Sequence, residues 1–142
     1  MNVTIGKHCN SYHIGFEWEF NLTCNGQPYY QSDLYAYHAY VFLWRIWSTD
    51  VVMKPTQTSL VRISMKRSNE PILNFYYQVD IHHKCNRYDP KNTKEYVCTI
   101  WPGDSCYSCS SAQPSKCGFN IDLSKSSVSS GLCTHTRYTP QS

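Results

Sequence analysis

No stretch of this chain approaches the roughly 18 consecutive apolar residues of a membrane-spanning helix, so a helical span is excluded. Charge of one sign is never concentrated either. The net charge is +3, and the basic residues are scattered as Lys54, Arg62, Lys66 and Arg67, then Lys84, Arg87, Lys91 and Lys94. Nucleic-acid binding calls for a denser basic stripe, so no nucleic-acid partner is expected. No internal repeat is visible, and helical periodicity is scarce. The chain starts without a hydrophobic leader-type region, which predicts a mature polypeptide whose Met1 was added for expression.

Cysteine, by contrast, is plentiful. Eight cysteines in 142 residues would be hard to keep inert in a reducing cell, so the expectation is a secreted, extracellular, disulfide-bonded protein. Cys9 and Cys24 stand early, and a long gap then precedes Cys85. Cys98, Cys106, Cys109, Cys117 and Cys133 crowd the last third. The spacing suggests one long-range staple plus a locally cross-linked C-terminal region. A chain of this length buries about two-thirds of its unfolded surface without help. Residues 1–142 are therefore expected to form a single domain that the cysteines reinforce, with neither metal nor cofactor. Asn2-Val-Thr and Asn21-Leu-Thr are glycosylation sequons and fit the same compartment.

Period-two alternation recurs along the chain, the mark of strands half buried in a sheet. Phe16, Trp18, Phe20 and Leu22 share one face, with Glu17, Glu19, Asn21 and Thr23 on the other. Cys24-Asn-Gly-Gln-Pro28 follows as a turn. Val61, Ile63 and Met65 alternate with Arg62, Ser64 and Lys66. Leu73, Phe75, Tyr77, Val79 and Ile81 alternate with Asn74, Tyr76, Gln78, Asp80 and His82. Segments 95–101 and 117–123 add two more strands, the latter with Phe119, Ile121 and Leu123 inward. Aromatic and β-branched residues predict a strand over 41–47 ended by Pro55, while 32–39 suits helix or strand. Segments 106–114 and 124–131 read as loops. About six or seven short strands with little helix predict an all-β, antiparallel two-sheet sandwich.

The order of the motifs resembles the secreted transthyretin-like family of nematodes, in a divergent form. Leu22-Thr-Cys24-Asn-Gly26-Gln-Pro28 is similar to that family's Leu-x-Cys-x-Gly-x-Pro, and Val41-Phe-Leu43-Trp44 to its Val-x-Leu-Trp strand. Leu60-Val-Arg-Ile63 loosely matches a further strand. Val79-Asp-Ile-His-His83-Lys-Cys85 resembles a strand ending His-x-Cys, and Thr99-Ile100-Trp-Pro102 leads to Tyr107. Pro114-Ser-Lys116, Phe119-Asn-Ile121-Asp-Leu123 and Leu132-Cys133-Thr-His135 complete the series over residues 14 to 135. The departures are Arg45-Ile-Trp-Ser where an acidic loop is usual, a missing glycine after the middle strand, and extra cysteines at Cys9, Cys106, Cys109 and Cys117.

The resemblance implies a disulfide-stabilised transthyretin-like sandwich that binds an extracellular protein or a cell-surface ligand and is not a catalyst. It also implies a disulfide between Cys24 and Cys85, with Cys98 and Cys133 belonging to the same framework. Spacing does not fix the other pairings, since eight cysteines allow about 105 connectivities. The extra cysteines are then an elaboration that ties down an N-terminal arm and a loop. Exposed tyrosines give large contacts at low entropy cost, and loops on a rigid scaffold carry recognition. Tyr29, Tyr30, Tyr35, Tyr37 and Tyr107 are therefore the expected binding residues.

Four kinds of chemistry compete with that expectation. Cys106-Tyr-Ser-Cys109, with Cys117 and His135 nearby, has the makings of a zinc site, yet an even cysteine count in a secreted chain favours disulfides. A redox-active Cys-x-x-Cys would sit at a helix N-terminus, and no helix follows. The chain also faintly resembles small secreted fungal ribonucleases and their inactive effector relatives. That chemistry would use His83, Glu95, Lys116 and His135 as base, acid and phosphate-stabilising groups; surface histidines ending strands are the blander alternative. An enzymatic cousin of transthyretin hydrolyses 5-hydroxyisourate and ends Tyr-Arg-Gly-Ser, whereas this sequence ends Arg137-Tyr-Thr-Pro-Gln-Ser142.

Overall fold

The structure, a computed structural model, describes residues 6–42, 45–56, 58–68, 73–85, 95–110, 112–125, 127–128 and 131–137. Its strands are β1 (Lys7–His8), β2 (His13–Cys24), β3 (Gln27–Pro28), β4 (Ser32–Phe42), β5 (Arg45–Thr56), β6 (Leu60–Ser68), β7 (Asn74–His83), β8 (Tyr96–Ile100), β9 (Ser115–Asp122), β10 (Ser127–Val128) and β11 (Gly131–Arg137). A 3-10 turn covers Asp104–Cys106. No helix among the described residues is long and apolar enough to cross a membrane.

Alternation becomes burial along most of the predicted strands, although Leu73, just before β7, is only partly buried and the side chain of Met65 lies outside those described. Phe16, Trp18, Phe20 and Leu22 on β2 are buried, as are Phe75, Tyr77, Val79 and Ile81 on β7 and Phe119, Ile121 and Leu123 at β9. Two sheets result. The larger runs β10-β11-β8-β7-β4-β5, with β1 also on β7; the smaller runs β3-β2-β6, with β9 also on β2. The rings of Phe16 and Trp18 on the small sheet meet Tyr77 of the large sheet at 5.0 and 5.4 Å. One buried cluster spans both sheets.

Several expectations need correction. The sandwich is mixed and not wholly antiparallel, because β9 runs parallel to β2. Segment 32–39 is strand, since β4 pairs with β5 on one side and β7 on the other, and that pairing overrides its helix-like spacing. The expected strand over 41–47 is a hairpin: β4 ends at Phe42 and β5 starts at Arg45, directly opposite it. Residues 43 and 44 lie outside the described residues. Pro55 does not end the strand but pairs with Asp33, which is tolerated because β5 is an edge strand among the described residues. Within 124–131, expected as loop, Ser127 and Val128 pair with β11.

The Asn-Gly turn takes the form that two-residue hairpins favour. Asn25 and Gly26 have φ of +52° and +80°, and Cys24 pairs with Gln27. Asp122 holds this turn from the end of β9. Its Oδ1 accepts from the Asn25 N–H at 3.2 Å and its Oδ2 from the Gly26 N–H at 3.2 Å. The Ser124 N–H and hydroxyl also donate to Oδ1, at 3.0 and 2.5 Å.

Disulfides then fasten the layers. Cys24–Cys85 joins the small sheet to the end of β7 across 61 residues of sequence. Cys9–Cys109 spans 100 residues and Cys106–Cys117 spans 11. Cys98 is also disulfide-bonded and stands opposite Cys133 in the ladder between β8 and β11. The N-terminal arm and the loop after β8 clamp each other. Lys7 Nζ donates to the Asp104 and Tyr107 carbonyls at 2.8 and 2.6 Å. Gly6, at φ +88°, lies so close to Phe75 that an added Cβ would stand 2.8 Å from its carbonyl oxygen.

Chain entropy orders these bonds. Removing Cys24–Cys85 by paired serine substitution should cost about 4 kcal/mol in urea unfolding, Cys9–Cys109 about 5 and Cys106–Cys117 about 3; equal losses would show that loop length is not the governing quantity. Asp122 gives a pH signature. Burial pushes its carboxyl up, but the donors from Ser124, Gly26 and Asn25 outweigh that and hold it below the ordinary value. A depressed folded value contributes stability above the unfolded value of about 4, lost as pH falls through the folded one. Asp122→Asn should therefore flatten the acid limb of the stability–pH curve below about pH 4, as measured by thermal unfolding from pH 2 to 7.

Candidate functional site

The two sheets turn different outer faces to solvent. On the small sheet, Glu17 and Glu19 of β2 lie between Arg62 of β6 and Lys116 of β9. Glu19 accepts from Arg62 Nε at 3.0 Å, and Glu17 lies 3.6 Å from Lys116 Nζ. Ser64 and Gly118 leave room among them, and an open groove of about 550 Å³ follows. The charges in it neutralise one another in pairs. Further along β2, Asn21 is exposed and donates from Nδ2 to Asn120 Oδ1 at 3.3 Å. Asn2, in the other sequon, lies outside the described residues.

The outer face of the large sheet is aromatic and polar together. Strand alternation turns Tyr35 and Tyr37 of β4 outward, with Tyr76, Gln78, Asp80 and His82 of β7 and Val97 and Thr99 of β8. Trp101, just past β8, is 43% exposed. Register sets these side chains in rows. Tyr37 stands opposite Gln78, and Tyr35 stands opposite Asp80, which in turn faces Thr99. One hydrogen-bonded chain runs through the middle. Trp101 Nε1 donates to Gln78 Oε1 at 3.3 Å, Gln78 Nε2 donates to Asp80 Oδ1 at 3.0 Å, and Thr99 Oγ1 donates to the same oxygen at 2.9 Å. At the end of the face His82 packs its ring 4.8 Å from that of Tyr35 and lies 3.7 Å from Glu95 Oε1.

The tyrosines expected to make contacts divide into three kinds. Tyr35 and Tyr37 belong to this outer face. Tyr29 and Tyr30 lie between β3 and β4, and the Tyr29 ring packs 6.2 Å from that of His83, on the inner side of β7. Tyr30 is 56% exposed, whereas Tyr29 is half-buried and its hydroxyl accepts from the Lys84 N–H at 2.8 Å. Burial pushes the Tyr29 hydroxyl up, only partly offset by that donor. Tyr107 is a core residue, 1% exposed, with its ring against Tyr77 and its hydroxyl donating to Asp104 at 2.9 Å. Burial and then the Asp104 carboxylate push its ionisation far up. The loop that carries it is drawn inward because Gly15 and Ser108 exchange backbone hydrogen bonds.

The residues weighed for ribonuclease chemistry do not converge. His83 is 2% exposed on the inner face of β7, where the Cys85 N–H donates to its Nδ1 at 3.0 Å and its Nε2 lies 3.4 Å from Cys98 Sγ. Lys116 is on the other sheet, and Glu95 faces His82 instead. The side chain of His135, on β11, lies outside the described residues. Cys106 and Cys109, the Cys-x-x-Cys pair, are bonded to Cys117 and Cys9. Among the described residues no group of three His, Cys, Asp or Glu side chains is gathered to hold a metal.

Sequence reasoning passed over Tyr76, Gln78, Asp80, Thr99 and Trp101 as site residues. The signal was present in the outward set of the 73–81 alternation, but a wet face and a contact face have the same pattern. The ion pairs of the small sheet, by contrast, are exposed and screened. Arg62→Ala and Lys116→Ala should each shift unfolding stability by less than about 1 kcal/mol in denaturant titration; a larger loss would make the small sheet's outer face a structural element. Set against known families and curated proteins, the chain matches no family model and no curated relative.

Proposed function

We propose that this chain is a secreted, disulfide-stabilised sandwich of the transthyretin-like type, which works by binding an extracellular protein or a cell-surface ligand and not by catalysis. Support for the type comes from the motif order: Leu22 to Pro28 spans the β2–β3 turn, Leu60 to Ile63 opens β6, Val79 to Cys85 closes β7 and Thr99 to Pro102 closes β8. The Cys24–Cys85 bond is the one that the resemblance implies. Support for secretion comes from cysteines that are all bonded among the described residues.

The observation that carries the binding role is the outer face of the large sheet. Tyr35, Tyr37, Tyr76 and Trp101 surround an ordered polar chain on a rigid, cross-linked scaffold. Half-exposed tyrosine and tryptophan supply contact area with few rotors to freeze. No observation favours a hydrolytic reading in its place.

Labelled protein titrated onto intact animal cells and deposited extracellular matrix should bind saturably. The triple variant Tyr35→Ala/Tyr37→Ala/Trp101→Ala should weaken that binding at least tenfold, while Arg62→Ala/Lys116→Ala leaves it unchanged. Binding that ignores the first variant, or is lost with the second, would refute this assignment of the face.

A further inference from the structure

Tyr37, Gln78 and Trp101 form one row across β4, β7 and the end of β8. Tyr37 is in register with Gln78, and Gln78 receives the Trp101 indole N–H. Two strand spacings separate the outer members, about 9.6 Å, which is close to the length of a disaccharide. The next row holds Tyr35, Asp80 and Thr99, and the one after it Asp33, His82 and Val97.

This distribution is the reverse of a protein–protein contact surface. Such interfaces have an apolar centre and a polar rim, with aromatic anchors near the middle. Here the centre is an amide, a carboxylate and a hydroxyl, and the rings stand at the flanks. A pyranose ring suits that order. Its C–H faces stack on aromatic rings, and its hydroxyls both donate and accept, matching the mixed donors and acceptors of Gln78, Asp80, Thr99 and the tyrosines. The polar chain is ordered in advance, with the Gln78 amide held at its oxygen by Trp101 and at its nitrogen by Asp80. A ligand therefore meets little of the ordering cost that weakens binding to mobile side chains.

Charge narrows the class further. Among the described side chains, β4, β7 and the residue just before β8 bring the carboxylates of Asp33, Asp80 and Glu95 to this face, with Lys84 just past β7. Sulfated, sialylated or phosphorylated chains would meet like charge, which is unfavourable where water is partly excluded. We propose that the outer face of the large sheet binds a neutral oligosaccharide, stacked on Tyr37 and Trp101 and read by Gln78, Asp80 and Thr99. This rests on the reading of that face as the contact surface and names its ligand class.

The test uses the full chain on immobilised oligosaccharides: neutral ones built on glucose, galactose, mannose and N-acetylglucosamine, beside sulfated and sialylated ones. Neutral chains should be retained and acidic ones not. Trp101→Ala and Tyr37→Ala should each weaken retention at least tenfold at an unchanged thermal midpoint, and Asp80→Asn should weaken it while Arg62→Ala does not. Retention of acidic chains alone, of no neutral chain, or undiminished by Trp101→Ala and Tyr37→Ala would overturn the proposal. Treated cells separate this failure from that of the wider reading. Binding abolished by periodate oxidation of cell-surface diols and resistant to protease supports a glycan. Binding that resists periodate and is lost to protease rejects the glycan and keeps the face as a protein contact. Binding indifferent to every large-face variant rejects both.

Discussion

Trp18 sits midway along β2, where its indole stacks on Phe16 at 3.8 Å, meets Tyr77 edge-on across the sandwich at 5.4 Å and donates to the Cys106 carbonyl at 2.6 Å. Three parts of the molecule meet in that one side chain: the small sheet, the large sheet and the cross-linked loop after β8. A buried indole N–H without an acceptor would be costly, so the loop must come to it. The Cys106–Cys117 bond then returns that loop to β9, the parallel neighbour of β2. Tyr107 follows Cys106 into the core and packs against Phe75 and Tyr77. The position of the loop after β8 thus follows from where Trp18 lies.

Rigidity of the outer face follows from the same enclosure. The inward side chains of β7 (Phe75, Tyr77, Val79, Ile81 and His83) are all buried, so its outward residues have no freedom to rotate about the strand. His38 of β4 adds a polar tie, its Nδ1 lying 2.9 Å from the Tyr77 hydroxyl while its ring stacks on Phe75. Cys24–Cys85 and the bonded Cys98 fix the same end of the sheet that carries His82 and Glu95. Cross-links at the ends and aromatic packing beneath leave the rows of Tyr37 and Tyr35 as a fixed template. A contact surface gains from that, because binding need not order it.

How much of this was legible in the sequence varies with the physics of each element. Strands with one dry and one wet face were readable, since β2, β7 and β9 write their burial directly in their alternation. The break between β4 and β5 was not, because neither Gly, Asn nor Pro stands between Phe42 and Arg45 in the sequence and aromatic residues continue on both sides. Pro55 misled because its penalty depends on whether the strand is an edge, which only topology decides. Tyr107 looked like a loop aromatic until Trp18 and Gly15 drew its loop inward, a long-range effect with no local mark. The resemblance did supply one long-range contact, Cys24 with Cys85, that spacing alone left open. Of the site, Tyr35 and Tyr37 were nominated from composition, while Gln78, Asp80 and Thr99 needed register before they became neighbours.

The choice between the two outer faces turns on desolvation. On the small sheet Glu17, Glu19, Arg62 and Lys116 are matched in pairs and well hydrated. Any ligand there must strip water from charges that already have partners, a cost that new ion pairs seldom recover. The large face asks for less. Its hydrogen-bonded chain leaves an ordered mixture of donors and acceptors, with Asp80 as its one carboxylate, beside rings whose burial is favourable by area. A ligand that covers Trp101 and Tyr37 gains from that apolar area, provided that it also satisfies the polar groups of Gln78, Asp80 and Thr99. Hydroxyl groups spaced on a stiff ring can do that; flexible charged side chains cannot without losing more entropy than the contact returns.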